Sequence, residues 1–334
     1  MRSKSIYVAS IVLSALFTIS VAAGQLAGSS STSSYGSDVL ARTEWRKHYP
    51  ILFPSQEIEW MQQAVSEPTV IKIGDFYFMY VGASSKPGTG DTGLAYTWGD
   101  LTKWTLVRSP VLARGKSGEW DAGQAMISFG SVLYDPDDHK IKMLYIGWSG
   151  MGDRYKVGYA ETSNVLSGDG FIKHPSPVLE FSQASIPHIS VIKDKGLFYA
   201  IIEDGTISDP SSFFSLYVSP DMKQWTIVKQ KLIGSGALGQ WDEKSLEEPY
   251  LFKQDNIYAL AYRGRNSVGQ TSVGLAYSHN LLDWVKHRGN PILLASPDEE
   301  GVGGASIISS GSTFHMFYES HTSTIMRAGY ATKP

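Results

Sequence analysis

The sequence of 334 residues contains no cysteine. A chain without cysteine forms no disulfide, offers no thiolate ligand to a metal and has no cysteine to carry a lipid anchor. A strong excess of charge of one sign is also absent: the formal net charge is −3, and the sequence contains no block of like charges. Because nucleic-acid-binding and polybasic membrane-binding proteins concentrate positive charge, we expect neither kind of partner.

Long apolar runs are absent except at the N-terminus. There, two basic residues precede an apolar stretch from residue 6 to residue 19, and small residues follow it. The stretch is shorter than the ~20 residues that a membrane-spanning helix needs. We therefore interpret residues 1–23 as a secretory signal peptide rather than an uncleaved anchor, and residues 24–40 as a Ser/Gly-rich linker. The predicted location is secreted, extracellular or periplasmic, without membrane attachment after cleavage.

The rest of the chain repeats one pattern at a spacing of about 60 residues, which suits the blades of a propeller. The clearest copies are EPTVIKIGDFYFMYVGAS from Glu67 and EPYLFKQDNIYALAYRGR from Glu248. Each copy has an alternating segment, a polar turn and a second aromatic-rich segment, which predicts a β-hairpin. Weaker copies begin at Phe129, His188 and Gly304.

A third strand follows each hairpin, and a fourth follows all but the last. The segment WRKHYPIL, residues 45–52, matches the fourth-strand pattern but precedes the first hairpin. We therefore predict an all-β fold, a single five-bladed β-propeller over residues 41–334, closed by an N-terminal strand that completes the last blade and protects its edge. The alternative is a β-sandwich in which the repeats are accidental.

The first strand of each blade lines the central channel of a propeller, and its start lies on the same face as the loop between strands two and three. Three of the five first-strand starts are ionisable, namely Glu67, His188 and Glu248. The ends of the second strands add the predicted substrate-binding residues Trp148, Glu203, Asp204, Arg263, Arg265, Glu319 and His321. Carboxylates that share a pocket move each other's pKa apart, giving one acid and one base. Aromatic rings and cations suit contacts with sugar rings and hydroxyls.

This pattern resembles the five-bladed propeller glycosidases, glycoside hydrolase families 43 and 32, with looser similarity to families 117 and 130. Family 43 opens its first blade with Asp-Pro, and here SEPTVIKIGDFYFMY has Glu67 in that place. Its fourth blade has a glutamate in the pattern E-G-P-Y, and here EEPYLF puts Glu247 at that position and Glu248 beside the proline. The resemblance implies a glycosidase with Glu67 as general base or nucleophile and Glu247 as general acid, with Glu248 as its competitor. Strand alternation lets only one of the two adjacent glutamates face the channel directly.

The sequence departs from family 43 in the third blade. That family has an aspartate in a pattern like I-D-P-H, whereas SIPHISVIK has Ile186 where the aspartate would be. Asp121, in GEWDAGQ, and His188 are the candidates to replace it as catalytic residues. The Trp-Asp pair recurs at Asp242, so a structural role is the alternative for Asp121.

The prediction that follows is a secreted glycoside hydrolase that cleaves an oligo- or polysaccharide by carboxylate acid/base catalysis in the central cavity. We expect a monomer that uses no cofactor and no metal. One alternative is a non-catalytic carbohydrate-binding propeller, which the missing third-blade aspartate supports. Another is a phosphorylase-like relative in which Arg263, Arg265 and His321 hold phosphate, although export argues against it.

Overall fold

The computed structural model describes residues 45–150, 152–164, 166, 170–181, 186–204 and 213–334. The predicted signal peptide and linker lie outside the described residues. Within those ranges, regular structure consists of β-strands and one short 3-10 helix, Glu59–Met61. No helix in the described ranges is long and apolar enough to cross a membrane.

Five antiparallel sheets form the five blades, numbered in chain order. Blade 1 contains β2 (Ala64–Ile73), β3 (Phe76–Ser84), β4 (Asp91–Trp98) and β5 (Thr105–Leu106). Blade 2 contains β6 (Gln124–Asp135), β7 (Lys140–Trp148), β8 (Lys156–Thr162), β9 (Ile172–Lys173) and β10 (Leu179–Glu180). Blade 3 contains β11 (Ile189–Asp194), β12 (Leu197–Asp204), β13 (Phe213–Ser219) and β14 (Thr226–Gly234). Blade 4 contains β15 (Ser245–Gln254), β16 (Ile257–Arg265), β17 (Thr271–Ser278) and β18 (Val285–Lys286). Blade 5 contains β19 (Gly301–Ser310), β20 (Thr313–His321), β21 (Met326–Lys333) and the N-terminal strand β1 (Arg46–Lys47).

The first strands of the blades contact one another in a closed ring, in the order β2, β6, β11, β15, β19 and back to β2. Strand β1 pairs with β21, with Arg46 opposite Thr332, and so supplies the outer strand of blade 5. The predicted five-bladed propeller and its closure by an N-terminal strand are confirmed. The sandwich alternative is wrong, because the sheets form a ring instead of two facing layers.

A cluster of one carboxylate, one lysine and one tyrosine recurs in three blades. The carboxylate comes from the loop that enters the blade, the tyrosine from its second strand and the lysine from its fourth. The members are Asp121, Tyr145 and Lys173 in blade 2, Asp242, Tyr262 and Lys286 in blade 4, and Glu299, Tyr318 and Lys47 in blade 5. Each lysine also lies over the ring of its tyrosine. We name these the carboxylate–lysine–tyrosine clusters; they tie the outer strand of a blade to the loop that precedes it.

The channel axis is filled by side chains below the predicted site. Phe129 is fully buried, and a Cβ added to Gly304 in blade 5 would lie 2.0 Å from its ring. Only glycine fits against that ring. The ring centroid of Phe129 lies 6.1 Å from that of His188, so Phe129 forms the floor beneath the ionisable residues described next.

Candidate active site

Glu67 and Glu248 occupy equivalent places in blades 1 and 4 and share a strained backbone conformation. Both have a φ of 55°, in the left-handed region, and both precede a proline. Left-handed backbone is costly for a residue with a side chain, and a following proline disfavours helical conformations further. Each glutamate lies in a β-bulge of its first strand, and a bulge re-aims a side chain that strand alternation would place elsewhere.

The backbone N–H of each of these glutamates is bound by a carboxylate from the preceding blade. The N–H of Glu67 donates to Oε2 of Glu319 in blade 5 at 3.1 Å. The N–H of Glu248 donates to Oε2 of Glu203 in blade 3 at 3.0 Å. The two glutamates are therefore held in the same way from the blade that precedes each of them around the ring.

Each of those two carboxylates also binds a histidine. Nδ1 of His188 donates to Glu203 at 2.8 Å, and Nε2 of His321 pairs with Glu319. We refer to Glu203 with His188 as the Glu203 pair, and to Glu319 with His321 as the Glu319 pair. Burial would raise the pKa of Glu319, but its hydrogen bond to His321 and the charges of that imidazole and of Arg263 lower it.

His188 joins the Glu203 pair to Glu67. Its Nε2 lies 3.6 Å from Oε1 of Glu67 while its Nδ1 binds Glu203. Burial alone would lower the pKa of His188, but the charge and hydrogen bond of Glu203, with the charges of Glu248 and Glu67, raise that pKa to about 10. At neutral pH His188 is therefore an imidazolium between two carboxyl groups.

Glu67 has the surroundings of a protonated acid. Its residue is 7% exposed, and its Oε2 is buried without a hydrogen-bond partner among the described residues. Burial raises the pKa of Glu67 well above its ordinary value; the charge of His188 opposes the rise, and those of Glu319 and Glu248 add to it. A carboxyl oxygen that is buried without a donor favours the neutral form.

Glu248 has donors on both oxygens. Its Oε1 pairs with Nη1 of Arg263, and its Oε2 accepts the N–H of Gly304 at 2.7 Å. Burial still raises the pKa of Glu248, with Arg263 opposing the rise and Glu319 adding to it. The two donors stabilise the carboxylate form, so the local contacts of Glu248 differ in kind from those of Glu67.

The carboxylate of Glu247 is bound by two arginines. Nε and Nη2 of Arg265 both donate to its carboxylate at 2.9 Å, Ser245 donates a further hydrogen bond, and Nε of Arg263 lies 3.3 Å away. Burial would raise the pKa of Glu247, but Arg265, Arg263 and Ser245 hold it at about 2. These contacts keep Glu247 ionised and leave it without the proton that a general acid must donate.

Trp148 and Tyr155 form an aromatic wall on the face of the propeller where β7 ends. Trp148 ends β7, as predicted, and its ring stacks on that of Tyr155 with centroids 5.7 Å apart. Burial raises the pKa of Tyr155, and the charge of Glu67 adds to the rise. A Cβ added to Gly88 would lie 3.7 Å from the ring of Trp148, so the wall borders the loop between β3 and β4 of blade 1. Sequence reasoning missed Tyr155. The available signal was its position in the β7–β8 loop, which opens on the predicted face.

Two predicted residues lie apart from this cluster. Asp121 accepts hydrogen bonds from Lys173 at 2.6 Å and Tyr145 at 3.2 Å, within a carboxylate–lysine–tyrosine cluster. Asp204 accepts a hydrogen bond from Ser215 on the adjacent strand. No described contact joins Asp121 or Asp204 to the cavity carboxylates. Of the two candidates for the missing third-blade aspartate, His188 is therefore the one that the fold brings to Glu67.

The opposite end of the channel opens into a cavity of about 650 Å³. Two of its lysines are in ion pairs: Lys193 binds Asp137 at 2.6 Å and Lys253 binds Asp194 at 2.7 Å. No pair of carboxyl groups with contrasting surroundings occurs among its described residues. We therefore place the chemistry at the Glu67 end of the channel, and in the described ranges no group of His, Asp and Glu there or elsewhere is arranged to hold a metal.

The sequence matches no protein-family model and no curated protein. Its fold, however, is shared by many solved structures. A protein described as a glycoside hydrolase is 17% identical, with 87% of this chain and 92% of that chain covered and a TM-score of 0.68. A structure from the GH130 family of mannoside phosphorylases, described as containing glycoside hydrolases that target β-1,2 mannosidic linkages in Candida mannan, is 14% identical, with 86% and 93% covered and a TM-score of 0.65. A thermostable family-43 glycoside hydrolase is 19% identical, with 80% and 88% covered and a TM-score of 0.61. The predicted resemblance to the five-bladed propeller glycosidases is confirmed at the level of the fold.

Proposed function

We propose that this protein is a glycoside hydrolase that cleaves an oligo- or polysaccharide in the cavity around Glu67 and Glu248. The observation that carries the proposal is the contrast between these two matched, buried glutamates. One has an oxygen without a partner, and the other has a donor on each oxygen. Glycoside hydrolysis requires such a contrast, because one carboxyl group must donate a proton while the other acts as an ionised base or nucleophile.

The surroundings favour Glu67 as the general acid and Glu248 as the base or nucleophile, the reverse of the roles that the family resemblance implies. Glu67 donates its proton to the glycosidic oxygen as the bond from that oxygen to the anomeric carbon breaks. Glu248 either takes a proton from the attacking water or attacks the anomeric carbon itself, and in the second case water then releases the sugar. Arg263 stabilises the carboxylate form of Glu248 before it accepts the proton or attacks the anomeric carbon.

Glu247 supports this arrangement without reacting. Its bidentate pairing with Arg265 and its contact with Arg263 fix both guanidinium groups. The adjacent glutamates thus have different roles. Glu248 faces the substrate, and Glu247 holds Arg263, the cation that orients Glu248. Breaking such a buried pair leaves an uncompensated charge, so Glu247 also contributes to stability.

The aromatic wall formed by Trp148 and Tyr155 is the proposed sugar-binding surface. Sugar rings present apolar C–H faces that stack on aromatic rings, and a phenol hydroxyl adds a hydrogen bond. The wall lies where β7 ends, on the same face of the propeller as Glu67, so we propose that it contacts the sugar whose oxygen receives the proton. That sugar is the leaving group.

The site favours a phosphorylase less than it favours a hydrolase. Phosphorolysis needs cations free to bind phosphate, and each predicted phosphate ligand is paired in the described structure. Arg265 binds Glu247, Arg263 binds Glu248, and His321 belongs to the Glu319 pair. Water is therefore the proposed acceptor.

A purely carbohydrate-binding propeller is also less favoured. Sugar binding alone does not require two matched, buried glutamates with contrasting partners, whereas acid/base catalysis does. A buried oxygen without a partner, which costs about 1–3 kcal/mol in stability, occurs at Glu67 and also at Asp242 outside the cavity, so it is the contrast between Glu67 and Glu248 that distinguishes the cavity. We further propose that the protein is exported and monomeric; the N-terminal sequence of residues 1–23 supports export.

Sugar release from a panel of polysaccharides and aryl glycosides tests the proposed function. The wild type is compared with Glu67→Gln and Glu248→Gln. A matched control is Asp242→Asn, which alters a buried carboxylate of blade 4 that binds Lys286 outside the cavity. We expect release by the wild type and the control, and its loss in both glutamate variants. Binding of a glycan without release would favour the binding module, and release that depends on added phosphate would favour the phosphorylase.

A further inference from the structure

The Glu203 pair and the Glu319 pair are placed alike in the fold. Both carboxylates come from the end of a second strand, Glu203 from β12 and Glu319 from β20. Each binds the backbone N–H of a glutamate in the next blade, at 3.0 Å and 3.1 Å respectively. The same arrangement thus occurs at two places in the ring, and both places are glutamates of the proposed active site.

The bound N–H groups need these acceptors. Glu67 and Glu248 are 7% and 4% exposed, and the bulge at each removes its N–H from the regular sheet ladder. A buried N–H without an acceptor is destabilising. The left-handed backbone at each residue is costly as well and persists only when its surroundings enforce it. In this structure the acceptor at each site is a carboxylate from the preceding blade.

Each carboxylate is in turn fixed by its histidine. Glu203 and Glu319 are both 3% exposed, and a buried carboxylate requires a partner. His188 and His321 supply that partner and restrict the side-chain rotation of the carboxylates they bind. The carboxylate oxygens are then rigid acceptors, and they fix the direction in which the glutamate backbone points.

We propose that the Glu203 pair and the Glu319 pair are positioning groups, each of which holds one proposed catalytic glutamate in place through its backbone N–H. The inference rests on the proposed function, because only that function makes the two glutamates catalytic. The contacts that hold the two glutamates do not depend on it. Glu319 acts on Glu67 alone through this contact. Glu203 acts on Glu248 directly, and on Glu67 through Nε2 of His188 at 3.6 Å.

The kinetic test compares Glu319→Ala and Glu203→Ala with the glutamine variants of the same residues. Misplacing a catalytic group by about 1 Å costs roughly 100-fold in rate, so we expect each alanine variant to lower kcat about 100-fold with little change in KM. The amide oxygen of glutamine still accepts the backbone N–H, so the glutamine variants should recover most of kcat. Equal loss in the alanine and glutamine variants would overturn the inference.

A matched control is Glu299→Ala, in blade 5. Glu299 is also a buried carboxylate with a cationic partner, Lys47, but it contacts neither proposed catalytic glutamate. We expect this variant to lose thermal stability and to keep the kcat of the wild type while folded. A loss of kcat equal to that of Glu319→Ala would mean that any buried carboxylate has this effect, and the positioning role would be wrong.

The pH profile of the glutamine variants, which are the ones expected to fold, tests whether the charge of Glu319 acts on Glu67 as their contact implies. The charged and titratable groups whose fields act on Glu67 are His188, Glu319 and Glu248, and the charge of Glu67 acts in turn on Tyr155. Removing the charge of Glu319 lowers the pKa of Glu67, so Glu319→Gln should move the basic limb of kcat/KM to lower pH. A profile that is scaled without being moved would show that the charge of Glu319 does not act on Glu67, and that result would contradict the placement of the Glu319 pair beside Glu67 on which the inference depends.

An NMR measurement tests the geometry without any activity. With 15N-labelled glutamate, Glu319→Ala should shift the amide proton of Glu67 upfield and leave that of Glu248 in place. Glu203→Ala should do the opposite. Unchanged amide shifts overturn the positioning inference even if the enzyme is active. Selective shifts in a protein that hydrolyses no substrate support the inference and show that it is the proposed function that is wrong.

Discussion

Glu247 and Glu248 are neighbours in the chain, yet the fold moves the pKa values of their carboxyl groups in opposite directions. Two nitrogens of Arg265 bind Glu247 and hold its pKa at about 2, whereas burial raises the pKa of Glu248. The bulge in β15, which gives Glu248 a φ of 55°, is what separates them. A regular strand would send the two side chains to opposite faces of the blade. The bulge instead lets both carboxylates contact Arg263, Glu247 at Nε and Glu248 at Nη1.

The roles proposed for Glu67 and Glu248 are distinguishable with leaving groups of different acidity. An activated aryl leaving group departs without a proton, so in the first turnover Glu67→Gln should release dinitrophenol from a dinitrophenyl glycoside at close to the wild-type rate while losing about 100-fold or more on oligosaccharides. Glu248→Gln should be slow in the first turnover on both substrates. The opposite pattern, with first-turnover release of dinitrophenol kept by Glu248→Gln and lost by Glu67→Gln, would return the roles to those that the family resemblance implies.

The fold was predictable because each repeat has a sequence pattern that depends only on neighbouring residues. The hairpins at Glu67 and Glu248 each show alternation, a polar turn and an aromatic second strand, and these features depend on near neighbours only. Closure by β1 was predictable too, since residues 45–52 match a fourth strand that the last repeat lacks.

The sequence pattern predicted most of the residues that the fold brings together in the candidate site, but not their contacts with one another; Asp121 and Asp204, also predicted, lie apart from it. The starts and ends of the inner strands gave the residues, because propeller topology brings those positions to one face. The bulge that places Glu248 in the cavity depends on contacts from blade 3. The ion pair of Asp121 depends on Lys173, which lies 52 positions away in the sequence. Such long-range partners leave no local pattern. Tyr155 was missed for the same reason, since only its stack on Trp148 distinguishes it from other loop tyrosines.

Stability should fall as the pH rises through the alkaline range, because of His188. Its pKa is raised from 6.5 to about 10 in the folded state, so the folded protein keeps a proton that the unfolded chain releases. The resulting stabilisation is fully present below pH 6.5 and is lost as the pH approaches 10. Glu67 acts in the same direction, since its pKa is also raised by folding. Urea unfolding at several pH values should show a slope of up to about 1.4 kcal/mol per pH unit for one proton. His188→Gln should flatten that slope, and a slope unchanged in this variant would contradict the prediction.

Arg265→Ala should destabilise the fold through Glu247. The side chain of Glu247 is 4% exposed and loses both hydrogen bonds from Arg265. Removing one member of a buried pair costs about 3 kcal/mol or more. The matched control is Arg327→Ala, whose partner Asp298 is largely exposed, and such a pair contributes about 1 kcal/mol or less. Denaturant unfolding measures the free energy of unfolding of both variants. Equal losses would show that the pair of Glu247 with Arg265 stabilises the fold no more than an exposed pair does.

The aromatic wall should act on substrate binding. Removing a stacking ring costs about 0.5–1.5 kcal/mol beyond its buried area, so Tyr155→Ala and Trp148→Ala should each raise KM several-fold with a smaller change in kcat. Tyr155→Phe keeps the stacking ring and loses only the hydroxyl's hydrogen bond, so its KM should lie between that of the wild type and that of Tyr155→Ala. Trp98→Ala is the control, since Trp98 is an exposed tryptophan at the end of β4 in blade 1. A rise in KM for Trp98→Ala as large as that for Trp148→Ala would contradict a specific role for the wall.

Lys47 should control the closure of the ring. It lies on β1, pairs with Glu299 and lies 5.3 Å from the ring centroid of Tyr318, so it joins the N-terminal strand to the last blade. Lys47→Ala leaves the buried carboxylate of Glu299 without its cation, which costs about 3 kcal/mol or more. Because the chain is not continuous across this seam, the loss should appear first as local opening of β1 and β21.

Hydrogen exchange of the backbone amides measures where the propeller opens. Lys173→Ala is the matched control, because Lys173 makes the same contacts in the cluster of blade 2, with Asp121 and Tyr145, where the chain runs without a break through the blade. We expect faster exchange at β21 in Lys47→Ala and at β8 in Lys173→Ala, with the larger fall in protection at β21. If β21 exchanges as slowly in Lys47→Ala as in the wild type, backbone pairing alone closes the ring, and the lysine contributes only to the blade that it joins.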